Sequence, residues 1–182
     1  NSTGTVNPIQ EIIREVRSLS PDTKILIDAA QSVSHTAIDV KNLDCDFLAF
    51  SGHKMYGPTG VGVLYGKYEV LESMPPWHGG GEMIQSVSLE HTTYALPPTR
   101  FEAGTPPIAE VIGLGAAIRW MQNVGISKIE AHESMLLNYT LEQLSTLSDI
   151  RQIAKPKAQG ALVSFVIDGV HPHDVAMILD EE

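Results

Sequence analysis

The sequence predicts an α/β layer fold: a mostly parallel sheet with one antiparallel strand. Three observations carry that prediction. Short apolar runs alternate with segments of helical periodicity, the pattern of strand–helix–strand units. Two of those runs, ILI (25–27) and FLAF (47–50), end on polar residues, Asp28 and Ser51. A third run, VGVLYG (61–66), follows the second after only ten residues, 51–60, which is short for a right-handed helical crossover, so it is expected to turn back antiparallel.

The elements follow in order. PIQEIIREVRS (8–18) places Ile9, Ile12, Ile13 and Val16 at helical spacing, with Pro8 suited to the first turn. SPDTK breaks that helix and the strand 25–27 begins. A connection opening on small residues leads to the strand 47–50, and Gly57, Pro58 and Gly60 supply the turn into the strand 61–66. Residues 72–104 read as irregular, with two PP pairs and HGGGE between them. A loop that long is usually functional or covers an interface, and a dimer interface is expected here. GTPPIAEVIGLGAAIRWMQNVG then reads as a helix capped by Thr105, with Pro106 at its first position. A second long helix follows, with Ile129, Leu136, Leu137, Leu141 and Leu144 on or near one face. ALVSFVID (161–168) reads as a strand and HPHDVAMILDEE as a helix, together the expected start of a second domain.

Composition narrows the class. The 182 residues are 43% hydrophobic and 19% charged, enough for one sizeable core or a domain and a half. A net charge of −10 argues against a nucleic-acid partner, since phosphate backbones need clustered Lys and Arg. No apolar run approaches the ~18 residues that span a bilayer. The single cysteine, Cys45, excludes an internal disulfide and suits a reducing compartment, so a cytoplasmic protein handling small molecules is expected. No signal peptide is visible. The chain opens on Asn1 without a methionine and stops inside a helical pattern, so both ends read as cut, and an organelle-targeting segment could precede Asn1.

The chemistry gathers at the strand ends. Asp28 ends one apolar run; Ser51, His53 and Lys54 end or follow the next. In open α/β sheets ligands bind outside the carboxyl ends of the strands. If the two strands are parallel, a carboxylate and a lysine share one sheet edge. Pyridoxal phosphate (PLP) needs that pair: a lysine forms a Schiff base with its aldehyde, and a buried carboxylate keeps its ring nitrogen protonated. Ser51 and His53 can donate to the phosphate and Gln31 to the ring oxygen, while Ala29 and Ala30 leave room for a flat ring. The same residues also read as a helix-capping Asp28 and a solvated Lys54, and spacing alone leaves both readings open.

DAAQS followed by FSGHKMYGPTGVGVLYG resembles the aminotransferase class V family, PLP enzymes of fold type I. GGGEMI (79–84), RFEAGTPPIAEVIGLGAAI (100–118) and GVHPHDVAMILD (169–180) narrow the resemblance to SUF-type cysteine desulfurases and selenocysteine lyase-like enzymes, over essentially the whole chain. The resemblance implies that residues 1–125 are the carboxyl-terminal half of a large PLP-binding domain, and 126–182 a linking helix and the start of a small α+β domain. It implies Lys54 as the Schiff-base lysine, Asp28 at the pyridinium nitrogen, Gln31 at the ring hydroxyl, and Ser51 and His53 at the phosphate. Asn1 matches an asparagine near the ring hydroxyl, and Thr105 a threonine reaching the phosphate of the other subunit of a homodimer with shared sites. Arg100 carries no catalytic role.

The implied reaction removes sulfur from L-cysteine, or L-selenocysteine its selenium. It leaves L-alanine and an enzyme persulfide passed to an acceptor protein for iron–sulfur cluster assembly. The family's sulfur-accepting cysteine and substrate-binding arginine are expected beyond Glu182, so the stretch alone is expected to be inactive. Other class V activities (aminotransferase, kynureninase-like hydrolase, epimerase) share the same PLP residues. A catalytically dead scaffold subunit is the alternative of another kind, against which the intact Asp28, Gln31, His53 and Lys54 speak. Cys45 sits between Asp44 and Asp46, whose charges are expected to raise its pKa, and reads as a core residue. His171 and His173 read as helix-entry residues and not a metal site. GPTGVG lacks the P-loop lysine. Trp77, Trp120 and Met121 read as packing residues.

Overall fold

The structure, a computed structural model, describes residues 2–181. The chain divides into two compact units. One holds residues 10–34 and 38–123. The other holds the stretch up to residue 9, residues 35–37, and the chain from 124 onward.

The first unit is built on a three-stranded sheet of β1 (Leu26–Asp28), β2 (Phe47–Ser51) and β3 (Gly62–Gly66), in that order. β1 and β2 run parallel, with Leu26 opposite Phe47 and Asp28 opposite Ala49. β3 returns antiparallel to β2, with Phe47 opposite Gly66 and Ser51 opposite Gly62, as the ten-residue connection requires. Helix α1 (Ile9–Leu19) buries Ile13, and the short helix α2 (Val40–Leu43) is capped by the Asp39 carboxylate, which accepts from the backbone N–H groups of Lys41 and Asn42. Leu48 of β2, Ala29, Cys45, Met55, Val70, Met83, Leu114, Ala117 and Met121 complete the core.

Charge stitches the amino-terminal edge of this sheet. Arg17 of α1 donates to the Asp46 carboxylate (Nη2 to Oδ2, 2.7 Å) and to the carbonyls of Thr23 and Asp44. The same Asp46 oxygen accepts the Ile25 N–H at 2.7 Å, and Lys67 pairs with Asp44 at 2.5 Å. β1 and β2 are tied together where they begin, at the edge where the antiparallel β3 ends.

Residues 72–104 are more ordered than their composition suggests. Helix α3 (Tyr68–Ser73) leads into them, and strands β4 (Ile84–Val87) and β5 (Thr92–Tyr94) pair as a hairpin with an irregularity between Ile84 and Ser86. That irregularity and the exposure of every β4 residue erase the apolar alternation by which a strand is read. Arg100, in a 3₁₀ turn (Thr99–Phe101), donates to the carbonyls of Ala95, Glu72 and Met74; its role is structural.

Helix α4 (Ile108–Val124) starts two residues later than Pro106, the first position expected behind a Thr105 cap. Pro107 disfavours helical backbone in the residue before it, Pro106, and so moves the start past that residue. The Pro107 carbonyl accepts the first helical bond, from Val111 at 2.9 Å. Gly125, with φ +91°, ends α4 and opens α5 (Ile126–Ser145).

In the second unit, β7 (Phe165–Ile167) pairs antiparallel with β6 (Ile150–Gln152), a three-residue strand with no signal in the sequence, and α6 (Pro172–Glu181) follows. Val6 and Gly4 bond the backbone of Ala158 and Gly160. His35 meets Glu133 of α5, Nδ1 to Oε1 at 2.8 Å. Among the described residues no helix is long and apolar enough to cross a membrane.

Candidate active site

The site lies at the carboxyl edge of the β1–β2 pair, within the first unit. Asp28 is the last residue of β1, and its Oδ1 accepts the Ala30 N–H at 2.9 Å, an Asx turn that fixes the carboxylate at the strand end. The ladder runs one residue further, with Ala29 N–H donating to the Ala49 carbonyl at 2.8 Å. Ala29 is buried, and the chain then turns tightly, Ser32 and Val33 both donating to the Ala29 carbonyl. Gln31 sits exposed within that turn.

On the neighbouring strand, Ser51 ends β2 and Gly52–Lys54 form a 3₁₀ turn. Gly52 is obligatory here. A Cβ on it would lie 2.8 Å from Val61 Cγ1 and 3.1 Å from two backbone oxygens. The close approach brings the Gly52 N–H to the Val61 carbonyl at 2.9 Å and carries the lysine over the end of the sheet. His53 and Lys54 are exposed. Ser51 occupies the cap position of the turn, but its hydroxyl makes no capping bond.

The structure therefore brings Asp28, Gln31, Ser51, His53 and Lys54 to one edge. Thr105, in the bend before α4, is exposed in the same unit. Asn1 lies outside the described residues. Among the described residues neither Asp28 nor Lys54 takes part in an ion pair. Asp28 is exposed, not buried as expected; a carboxylate and an ammonium on adjacent strand ends, neither in an ion pair, together with an uncommitted hydroxyl, fit a ligand that has a cationic ring nitrogen, an aldehyde and a phosphate.

Cys45 is fully buried, and burial is the main cause pushing its thiol pKa up; the flanking carboxylates contribute less than expected. The reason is that those charges are already taken, Asp44 by Lys67 and Asp46 by Arg17. Trp77 is not a packing residue: it is 85% exposed, with its ring edge-on to His78. Met121 is buried, whereas Trp120 is half exposed and meets Tyr56, two residues after Lys54. Tyr56 has no signal in the sequence, because an aromatic residue in a turn belongs to no periodic pattern; its left-handed backbone (φ +64°) shows only in the structure. His171 and His173 stand edge-on at the entry of α6, where the His171 ring nitrogen accepts the His173 N–H.

A fold type I domain with a lysine and a carboxylate at adjacent strand ends defines a class, and the family follows from it. The Aminotransferase class-V family matches residues 1–182, and the chain belongs to that family. It is 50% identical over 182 residues to a cysteine desulfurase of Dickeya dadantii (strain 3937), covering 100% of this chain and 43% of that protein. The apo structure of a cysteine desulfurase from Thermococcus onnurineus NA1 superposes with a TM-score of 0.93 at 40% identity, over 100% of this chain and 45% of that one. A lysine-to-alanine mutant of C-DES with glycine covalently linked to its PLP cofactor superposes with a TM-score of 0.86 at 28% identity, over 99% of this chain and 48% of that one. The chain thus spans less than half the length of these relatives.

Proposed function

We propose that the full-length protein is a PLP-dependent cysteine desulfurase. It converts L-cysteine to L-alanine and passes the sulfur, as a persulfide on one of its own cysteines, to an acceptor protein for iron–sulfur cluster assembly. The observation that supports this most is the parallel register of Asp28 with Ala49, which sets Asp28 and Ser51–Lys54 on one sheet edge with neither charged group in an ion pair among the described residues.

PLP, when bound, supplies an aldehyde for covalent linkage and a ring that accepts electrons. Lys54 would anchor it through Nζ and, when its amine is free, would move a proton at the substrate Cα as a general base and acid. The Asp28 carboxylate holds the proton on the ring nitrogen, and the Ala30 N–H keeps that carboxylate aimed. Gln31 donates its side-chain amide N–H to the ring oxygen; Ser51 Oγ and the His53 ring donate to the phosphate. Thr105 donates its hydroxyl to the phosphate in the partner subunit of a homodimer, so each site draws on both chains. Residues 1–125 belong to the large cofactor domain and 126–182 open the small one, in a cytoplasmic enzyme. Cys45 is not the sulfur acceptor, being fully buried with a raised pKa.

The test uses the full-length protein. The unaltered enzyme shows the visible absorption band of a lysine-linked cofactor and, with a thiol reductant present to reduce the persulfide, releases sulfide from L-cysteine; Lys54→Ala loses both. A band that survives Lys54→Ala sinks the anchor assignment. Amino transfer to a keto acid without sulfide release moves the reaction to another class V activity.

A further inference from the structure

We infer that Trp120 and Tyr56 are positioning residues for Lys54, with helix α4 as the platform on which the lysine turn is set. The inference rests on the role proposed for Lys54 and deepens it.

The turn closes twice on one atom: the Gly52 carbonyl accepts both the Met55 N–H and the Gly57 N–H at 3.0 Å. Tyr56 lies between those two donors with φ +64°, a left-handed backbone that a bulky aromatic residue seldom adopts. Such a conformation persists only where the surroundings enforce it. Here the surroundings are α4, which meets the turn at three successive residues. A Cβ on Gly113 would lie 3.1 Å from Pro58 Cγ, and one on Gly57 would lie 3.0 Å from Leu114 Cδ1. The Tyr56 ring stands edge-on to Trp120, centroids 5.1 Å apart at 64°. Gly113, Leu114, Ala117 and Trp120 fall at helical spacing on one face of α4.

The two kinds of contact do different jobs. Leu114, Ala117 and Met55 are buried and belong to the core, whereas Tyr56 and Trp120 are about half exposed at its rim. Removing the ring pair therefore leaves the core intact and frees the backbone of Tyr56. One peptide unit, Met55, separates that backbone from Lys54. As Tyr56 relaxes from its left-handed well, Gly57 N–H is drawn off the Gly52 carbonyl and Lys54 moves with the turn.

The experiment labels the ligand-free full-length chain with an amine-reactive acylating reagent across a range of pH. Lys54 modification is read by mass spectrometry against Lys24 and Lys41 as internal references. PLP binding by the unaltered protein and by Lys54→Ala is measured alongside. Trp120→Ala changes the relative labelling rate of Lys54 by roughly 3- to 10-fold, the scale of an edge-on aromatic pair. Trp120→Phe, which keeps an aromatic edge, holds it near the unaltered value. Equal Lys54 labelling in Trp120→Ala and the unaltered protein overturns the inference. Should Trp120→Ala not fold, Tyr56→Leu, a change at an exposed position, is judged by the same criterion. Altered labelling in a protein that binds no PLP defeats the cofactor reading alone; unaltered labelling in a protein that binds PLP through Lys54 defeats this inference alone.

Discussion

Asp46 is 3% exposed and still ionised. Burial raises its pKa, but the Ile25 N–H and the Arg17 guanidinium on its carboxylate outweigh burial, and the carboxyl is held below its ordinary value. A folded pKa below the unfolded one contributes stability above the unfolded value, and that contribution is lost as pH falls through the depressed folded value. Asp46→Asn is expected to cost about 1–3 kcal/mol at neutral pH in denaturant unfolding, because it removes the nearer of Arg17's two counter-charges and leaves only Asp44, at 3.8 Å. The same variant shows a shallower loss of stability on acidification below the unfolded value than the unaltered protein. Cys45, next to it, follows from burial alone. It is expected to resist thiol reagents until the protein is unfolded, and Cys45→Ala is expected to keep sulfide release in the full-length enzyme. Rapid alkylation of the native protein at Cys45 would contradict this.

At the scale of elements, glycines decide where the chain may turn. Gly125 separates α4 from α5 with φ +91°, and the nearest atom a Cβ would meet there is 4.0 Å away, so the space is open and the backbone alone sets the cost. Gly125→Ala is expected to destabilise by about 1–2 kcal/mol in thermal or denaturant unfolding, the penalty of a left-handed L-residue. Legibility in the sequence follows the same line. Helix α1 and strands β1 to β3 announce themselves through apolar spacing and turn chemistry, which are local. The β4–β5 hairpin does not, because β4 is exposed throughout and its pairing slips between Ile84 and Ser86. Helix α4 starts beyond the position Thr105 would cap because Pro107 disfavours helical backbone at Pro106, which outweighs a good capping side chain.

At the scale of the whole molecule, the proposed shared site makes a prediction that a monomer cannot satisfy. Full-length Lys54→Ala and Thr105→Ala chains, each poor alone, are expected to regain sulfide release when co-assembled. One site of the mixed dimer then combines an intact Lys54 from one chain with an intact Thr105 from the other. No recovery in mixed dimers isolated with two affinity tags would place Thr105 in its own subunit's site or outside the site altogether.

The amino-acid order by itself determined which residues are candidates for the chemistry. Asp28, Gln31, Ser51, His53 and Lys54 each sit at or just past the end of an apolar run, and a strand end is a local property of a few neighbouring residues. Only the tertiary structure decided that these ends meet. The parallel register of β1 with β2 is a hydrogen-bonded choice between segments far apart in the chain, and the amino-edge charges of Arg17, Asp44, Asp46 and Lys67 hold it. The seating of the lysine turn on α4 is also non-local, since a left-handed Tyr56 gains its support from a tryptophan 64 residues further on, a pairing that no window of sequence contains.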